Sequence, residues 1–242
     1  MFRHKGKRRT YKHNLRLASI LSFVAGTVNI TGVLSVKVLT TNVTGHFAYF
    51  GEQFLFKNYR NAIFFLLYIL SFLAGSFLSN FLIEAVSRKK DRYSYLTPII
   101  IEASLLSTIA FFGNSIQLLY GAETVAFTLL FAMGLQNALV TTASQSVVRT
   151  THLTGLFTDL GIELSQIFFF RKTDRFHQLK KSILLKLAII SFFFSGCVIG
   201  GFIYRSLTLQ TLLFSSFCLI IALLYDWILF HFYHIKRRLS VS

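Results

Sequence analysis

Six long apolar segments constrain this chain more than any other feature of its sequence. They cover about 15–35, 61–86, 94–113, 121–142, 182–204 and 207–232. A helix needs roughly 20 apolar residues to cross the hydrocarbon core of a bilayer, and each segment reaches that length. The composition agrees, because 54% of the residues are hydrophobic and 14% are charged, whereas soluble domains carry about a quarter charged residues. We therefore predict one all-α integral membrane domain over residues 1–242, with about six transmembrane helices.

Two further segments, at about 40–56 and 150–170, are compatible with helix but rich in Thr, Gly and charge. The distribution of Lys and Arg indicates whether they cross the membrane, because basic loops stay on the cytoplasmic side. If neither segment crosses, the basic stretches SRKKDR, RKTDRFHQLKK and HIKRR all lie on the side of the N-terminus. If both cross, SRKKDR lies outside. The sequence thus predicts six spans with both termini cytoplasmic.

The formal charge of +16 would suit a nucleic-acid-binding protein if it were spread over a folded soluble module. Instead, Lys and Arg cluster beside the apolar spans, with seven in residues 1–16, four in 88–92, six in 171–186 and three in 236–238. We interpret residues 1–14 and 233–242 as basic cytoplasmic flanks and expect no nucleic-acid partner. Such flanks attract anionic lipid head groups at about 1 kcal/mol per basic side chain.

The two halves of the chain share a pattern. The residues Thr41, Thr44, Gly45, Phe47 and Gly51 correspond to Thr151, Thr154, Gly155, Phe157 and Gly161 at an offset of 110. Gly26 and Asn29 correspond to Gly134 and Asn137 at an offset of 108. The pattern predicts two three-helix repeats, residues 15–113 and 121–232. Because three is an odd number of spans, the second repeat would enter the membrane from the opposite side, as an inverted repeat.

Paired polar segments in such halves are a sequence indicator of a binding site near the membrane midplane. We expect 41–54 to dip in from outside and 151–164 to dip in from inside, each as a re-entrant or broken helix. Irregular backbone at membrane depth survives only where protein buries it or where it lines a cavity. The alternative is that the glycines of these segments pack helices closely and the threonines satisfy the backbone. The two interpretations are compatible.

The stretches GLQNALV and VRTTHLTGLFTDLG, with VTGHFAYFG in the first half, resemble the YoaK-like family of uncharacterised bacterial membrane proteins. The resemblance covers essentially the whole chain and implies about six helices in a bacterial cytoplasmic membrane, with no established activity. The chain departs from the family at two places. Asn29 stands where the family usually has Asp, and Val43-Thr44-Gly45-His46 replaces a frequent M-T-G-N.

Charged residues at membrane depth are costly and point to function by default. Asp159 and Glu163 are spaced i,i+4 and would share a helix face that could receive a proton or cation. Asp159 could equally pair with Arg149 or cap a helix. Glu102 lies inside the third span and is expected to face the bundle interior, and Glu52 lies in the first polar segment.

Two histidines flank the Thr-Gly pairs, and each could form a pH-sensitive gate or be an ordinary hydrogen-bonded side chain. The candidates for a substrate or ion pathway are Asn29, Thr41, Thr44, Gly45, His46, Gly51, Glu52, Glu102, Gln136, Asn137, Arg149, Thr151, His152, Thr154, Gly155, Thr158, Asp159, Gly161 and Glu163.

The inverted repeat and the paired polar segments favour a small-solute transporter or permease, and a homo-oligomer is compatible with the sequence. No G-x-x-x-x-G-K-S motif for ATP and no H-E-x-x-H motif for zinc is present, so we expect neither catalytic residues nor a metal or cofactor. Two alternatives stay open. One is a membrane-embedded enzyme acting on a lipid or small substrate, and the other is a structural or lipid-organising protein.

Overall fold

The computed structural model describes residues 10–90, 94–171, 173 and 175–224, and within them it contains helices and no strand. The helices are α1 (Tyr11–Val36), α2 (Val43–Leu55), α3 (Tyr59–Lys90), α4 (Leu96–Tyr120), α5 (Ala122–Ser144), α6 (Leu153–Phe170) and α7 (Arg175–Leu207). A 3-10 turn at Thr208–Gln210 leads into α8, which covers 211–224 at the end of the described range. Residues 1–9 of the basic flank, 225–232 of the last predicted span and the tail 233–242 lie outside the described residues.

Six helical stretches of the described chain are long and apolar enough to cross a membrane. The protein is therefore a multi-pass helical membrane protein. Each predicted span coincides with a helix, namely α1, α3, α4, α5, α7 and α8. The six stretches nevertheless differ from the six predicted spans in two respects. The polar helix α6 also reaches the required length and apolarity, and α7 and α8 count as one stretch, Arg175–Leu224, because only the 3-10 turn separates them.

The chain reverses its direction between α7 and α8. The ring of Phe23 lies 5.9 Å from the ring of Phe214, and the backbone of Phe23 also contacts Gly196. A straight helix from 196 to 214 would hold these two residues about 27 Å apart. Thr208, whose φ is +49°, lies at the turn. This reversal agrees with the two separate spans that the sequence predicts here.

Four glycines bring two helix pairs into backbone contact. A Cβ on Gly26 of α1 would clash with the carbonyl oxygen of Phe193 in α7, and a Cβ on Gly196 would clash with that of Phe23. Glycine interfaces of this kind let helix backbones approach closely in membranes. Phe23 contacts Gly196, and further along α1 Ile30 contacts Gly201. Residue numbers therefore rise in the same direction along both helices, so α1 and α7 run parallel.

The same arrangement recurs between α3 and α5. A Cβ on Gly75 would clash with the carbonyl oxygen of Phe131, and a Cβ on Gly134 would clash with that of Phe72. Ser76 donates a hydrogen bond to the Gly134 carbonyl at 3.2 Å, as Cys197 does to the Gly26 carbonyl at 3.3 Å. Phe64 contacts Phe127, and further along both helices Asn80 accepts a hydrogen bond from Thr142, so α3 and α5 also run parallel.

Helices α1 and α5 occupy the middle of the core and run antiparallel. The side-chain amide of Gln136 donates to the carbonyl of Leu21 at 2.9 Å. Gly32 lies eleven residues after Leu21 in α1, and it contacts Leu129, which lies before Gln136 in α5. Residue numbers thus fall along α5 as they rise along α1. Large apolar side chains such as Phe77, Phe111 and Phe194 cover the outside of the bundle, as a lipid-facing surface requires.

Candidate functional site

The connectors that follow α1 and α5 are the most irregular backbone in the described helical core. We define the first connector as residues 37–42 and the second as residues 145–152. Lys37 and Gln145 end their helices in the left-handed conformation, with φ of +58° and +54°. The amide of Val38 donates back to the Gly32 carbonyl at 3.3 Å, and the amide of Ser146 donates back to the Thr141 carbonyl at 2.8 Å. Both helices therefore end sharply, and each connector turns back towards the core.

Each connector is tied to the helix before it by a hydrogen bond between two side chains. The hydroxyl of Thr41 donates to Oδ1 of Asn29 at 3.1 Å. The hydroxyl of Thr151 donates to Oδ1 of Asn137 at 3.0 Å. The T-x-x-T-G and G-x-x-N motifs of each half therefore meet in space, and this contact explains why both motifs recur in the sequence.

The glycine of each Thr-Gly pair makes room for the residue that begins the helix. Asn42 begins α2, its Oδ1 accepts a hydrogen bond from the amide of Gly45 at 3.0 Å, and its side chain fills the place of a Gly45 Cβ. His152 begins α6, and its ring fills the place of a Gly155 Cβ, but it forms no capping hydrogen bond. These two glycines are thus required by the helix starts and not by helix–helix packing.

A cavity of about 680 Å³ lies between the two connectors, and we call it the connector cavity. Residues at equivalent positions of the two halves line it. They are Asn29 and Asn137, Thr41 and Thr151, Asn42 and His152, Val43 and Leu153, Thr44 and Thr154, Leu39 and Arg149, Phe72 and Phe193, together with Thr141. The starts of α2 and α6 therefore both open onto one shared space.

Eight of the predicted pathway residues lie in this cavity lining, and the others lie elsewhere. Gln136 is fully buried and binds the Leu21 carbonyl of α1. Glu102 is buried in α4, as expected, and its Oε1 has no hydrogen-bond partner among the described residues. Glu52 is exposed, and Thr158 is bonded within its own helix to the Thr154 carbonyl.

His46 is a buried structural residue of the first half. Its Nε2 donates to the carbonyl of Leu39 at 2.8 Å, which attaches α2 to the first connector. Its ring lies 5.4 Å from that of Tyr68 in α3. Of the two roles considered for this histidine, the geometry matches the ordinary hydrogen-bonded side chain.

Asp159 and Glu163 have different surroundings although they share a helix. The Oε1 of Glu163 accepts from Nζ of Lys186 at 2.7 Å and from the hydroxyl of Ser182 at 2.7 Å. Asp159 is exposed, and it forms neither the ion pair with Arg149 nor a cap in the described structure. Glu163 also borders a separate cavity of about 200 Å³ with Arg175. The two carboxylates therefore do not form one site.

Gly51 of α2 and Gly161 of α6 have free space around their Cα atoms. A Cβ on either one would meet no described atom within 4 Å. Close packing within the described chain therefore does not account for these two glycines. Within the described residues, no three His, Cys, Asp or Glu side chains come together as a metal-binding group.

The sequence reasoning missed several residues of the cavity lining. Phe72 and Phe193 were overlooked, although each lies three residues before a close-contact glycine in an F-x-x-G pattern. Leu39 was also missed, because an apolar residue carries no signal in so apolar a chain. Extending the repeat beyond the polar segments would have revealed the F-x-x-G pairs.

The fold and this cavity define a multi-pass α-helical membrane protein with a cavity between its two halves, which polar and apolar side chains line together. The chain belongs to the family described as protein of unknown function (DUF1275), which it matches over residues 17–225. This match confirms the resemblance to an uncharacterised family of membrane proteins that the motifs indicated. No curated protein and no solved structure gives a significant match.

Proposed function

We propose that this protein is a small-solute transporter or permease. Its solute path would run through the connector cavity, between two halves that form an inverted repeat. The observation that carries the proposal is the lining of this cavity by equivalent residues of both halves.

The antiparallel course of α1 and α5 supports the inverted repeat. These helices are equivalent in the two halves, and an inverted repeat requires them to cross the membrane in opposite directions. The matched Thr-Asn bonds and the matched glycine contacts give the same correspondence. A parallel duplication would place α1 and α5 in the same direction.

The length of α2 supports a re-entrant course for the polar segments. Its 13 residues extend about 20 Å, which is less than the roughly 30 Å of hydrocarbon. Helix α6, its equivalent, has 18 residues and extends about 27 Å. We propose that both enter the membrane from opposite sides and begin at the cavity. Their connectors then line a wet space, where irregular backbone is tolerated.

The chemistry of the lining supports a solute path. Threonine hydroxyls and asparagine amides from both halves face a space whose size lies within the 300–1,000 Å³ typical of small-molecule sites. Thr44 and Thr154 are exposed at the starts of their helices. A purely structural protein would have no need of Thr, Asn and Arg side chains around such a cavity.

Six crossings place both termini on one side, and the basic stretches indicate that this side is the cytoplasm. We propose a bacterial cytoplasmic membrane, with anionic lipid head groups at the basic flanks. A homo-oligomer remains compatible with this arrangement.

Uptake into proteoliposomes tests the proposal. The purified protein would be reconstituted and offered labelled lactate, glycerol and 3-amino-1,2-propanediol, which are similar in size and differ in charge. We expect uptake of at least one solute above that of empty liposomes. Thr154→Trp should obstruct the cavity and abolish that uptake.

Phe194→Trp is the matched control, because Phe194 adjoins the cavity residue Phe193 but is exposed on the lipid-facing surface. Its uptake should equal that of the unchanged protein. No uptake of these three solutes or of inorganic phosphate, or uptake that survives Thr154→Trp in folded protein, would contradict the proposal.

A further inference from the structure

We infer that the transported solute is an anion whose carboxylate or phosphate group binds beside Arg149, at the second-half side of the connector cavity. This inference rests on the proposed function and names the substrate class of the same site.

The charge of the cavity lining carries the inference. Among its described residues, Arg149 alone is a permanently charged side chain, and no Asp or Glu is present. Arg149 forms no ion pair or hydrogen bond with any described residue. A guanidinium has a fixed fork of donors that matches the oxygens of a carboxylate or phosphate. A cationic solute would meet like charge there and find no carboxylate to balance its own.

The start of α6 adds donors on the same side of the cavity. The residues His152, Leu153 and Thr154 all belong to the lining. His152 forms no capping hydrogen bond, and no other side chain among the described residues accepts a hydrogen bond from the amides of the first turn. The first amides of a helix carry partial positive charge and bind anions. In α2, by contrast, the amide of Gly45 already donates a hydrogen bond to the side chain of Asn42.

The two sides of the cavity therefore differ in charge although their residues correspond. At the offset of 110 that relates the two Thr-Gly motifs, Arg149 corresponds to Leu39 in the first half, and both line the cavity. The polar Thr-Asn pairs are common to both sides, whereas the guanidinium and the uncapped helix start occur in the second half. Because of this difference, the anionic group of the solute binds next to α6. The rest of the solute then lies on the side of Leu39 and Phe72.

The test combines binding with uptake. Thermal stabilisation of the purified protein would be titrated with lactate, inorganic phosphate, glycerol and 3-amino-1,2-propanediol, and uptake would be measured in phosphatidylcholine liposomes. We expect lactate or phosphate, but neither of the other two probes, to stabilise the protein and to be taken up. The lactate and phosphate arms separate a carboxylate solute from a phosphate one.

Substitutions then locate the anion. Arg149→Ala should weaken binding of the effective anion by at least about tenfold, which a lost charge-assisted hydrogen-bond pair readily produces. Arg149→Lys should retain part of the affinity. Leu39→Ala, the equivalent change on the other side, should leave the affinity within about twofold. Equal losses at 39 and 149, or no loss at 149, would overturn the assignment.

The unchanged protein can also be tested for which charge of solute it takes up, and this measurement does not depend on the folding of any variant. Uptake of glycerol or the amine without lactate or phosphate would overturn the anion inference and leave the transport proposal standing. No uptake of any probe would contradict the transport proposal itself. Loss of lactate or phosphate binding when phosphatidylglycerol is added would identify a lipid head group as the occupant and overturn the assignment to a solute.

Discussion

The hydroxyl of Thr41 donates a hydrogen bond to Oδ1 of Asn29 over 3.1 Å, and this contact fastens the first connector to α1. Thr151 and Asn137 make the same contact over 3.0 Å in the second half. The same bond thus joins the G-x-x-N motif to the T-x-x-T-G motif in each half of the structure. Both bonds lie at the lining of the connector cavity.

The Thr-Asn bond should contribute measurably to stability. Thr151→Val keeps the shape of the side chain and removes the donor, so we expect a loss of about 1 kcal/mol in the free energy of unfolding. Unfolding in mixed SDS and detergent micelles measures it. Thr158→Val is the control, because that hydroxyl bonds only within its own helix. A loss at 158 as large as that at 151 would show that the bond to Asn137 has no special role.

The glycines of α5 and α6 should respond in opposite ways to alanine. Gly134→Ala places a methyl group against the Phe72 carbonyl and should cost about 1–3 kcal/mol as α3 and α5 separate. Gly161→Ala meets open space and should be neutral, or stabilise by up to about 1 kcal/mol through helix propensity. Thermal unfolding of the two variants compares them. A destabilising Gly161→Ala would reveal a contact with something outside the described chain.

The Glu163–Lys186 ion pair should behave as a coupled unit. Its side chains are only 18% and 13% exposed, so Glu163→Gln leaves a half-buried ammonium without its counter-ion. We expect a loss of about 1–3 kcal/mol. Adding Lys186→Met should recover part of it, so that the two single effects do not add. Asp159→Asn serves as the control on the same helix and should be neutral. Strict additivity in the double variant would refute the coupling.

The starts of α2 and α6 should differ in what their first residues contribute. Asn42→Ala removes a capping bond and should cost about 1 kcal/mol. His152→Ala removes none and should cost clearly less. His152→Asn should supply the missing cap, stabilise the protein and weaken anion binding, because the new side chain competes for the same amides. Stabilisation without any change in anion affinity would separate the helix start from the anion site.

Much of the fold followed from the apolar pattern, since bilayer thickness permits few arrangements of such segments. Each predicted span coincides with a helix because length and apolarity act locally along the chain. Helix α6 shows the limit of this reasoning. Its polar residues suggested a segment distinct from the spans, yet it is long and apolar enough to cross, and length alone does not separate the two possibilities.

The site was only partly predictable, because its contacts join residues that are far apart in sequence. The threonines and asparagines recur in both halves, and that recurrence marked them. The partner of Glu163 could not be inferred, because Lys186 belongs to a basic stretch that resembles a cytoplasmic flank. Phe193 and Leu39 cannot be recognised as site residues in a sequence with so many apolar residues. Only the folded structure shows that they line the cavity.

Cysteine accessibility tests the central claim most directly, because the claim requires water to reach the connector cavity from both sides of the membrane. The background would carry Cys218→Ala and Cys197→Ser, since a serine keeps the bond to the Gly26 carbonyl as Ser76 does at the equivalent place. Single cysteines would then replace Thr44, Thr154 and, as a lipid-facing control, Phe194.

Each variant would be treated with a membrane-impermeant maleimide in right-side-out and in inverted vesicles. A path that opens to each side in turn predicts that the cysteines at 44 and 154 react in both orientations and that the cysteine at 194 reacts in neither. Failure of both cavity positions to react, or reaction of both from one side only, would contradict a solute path between the two halves.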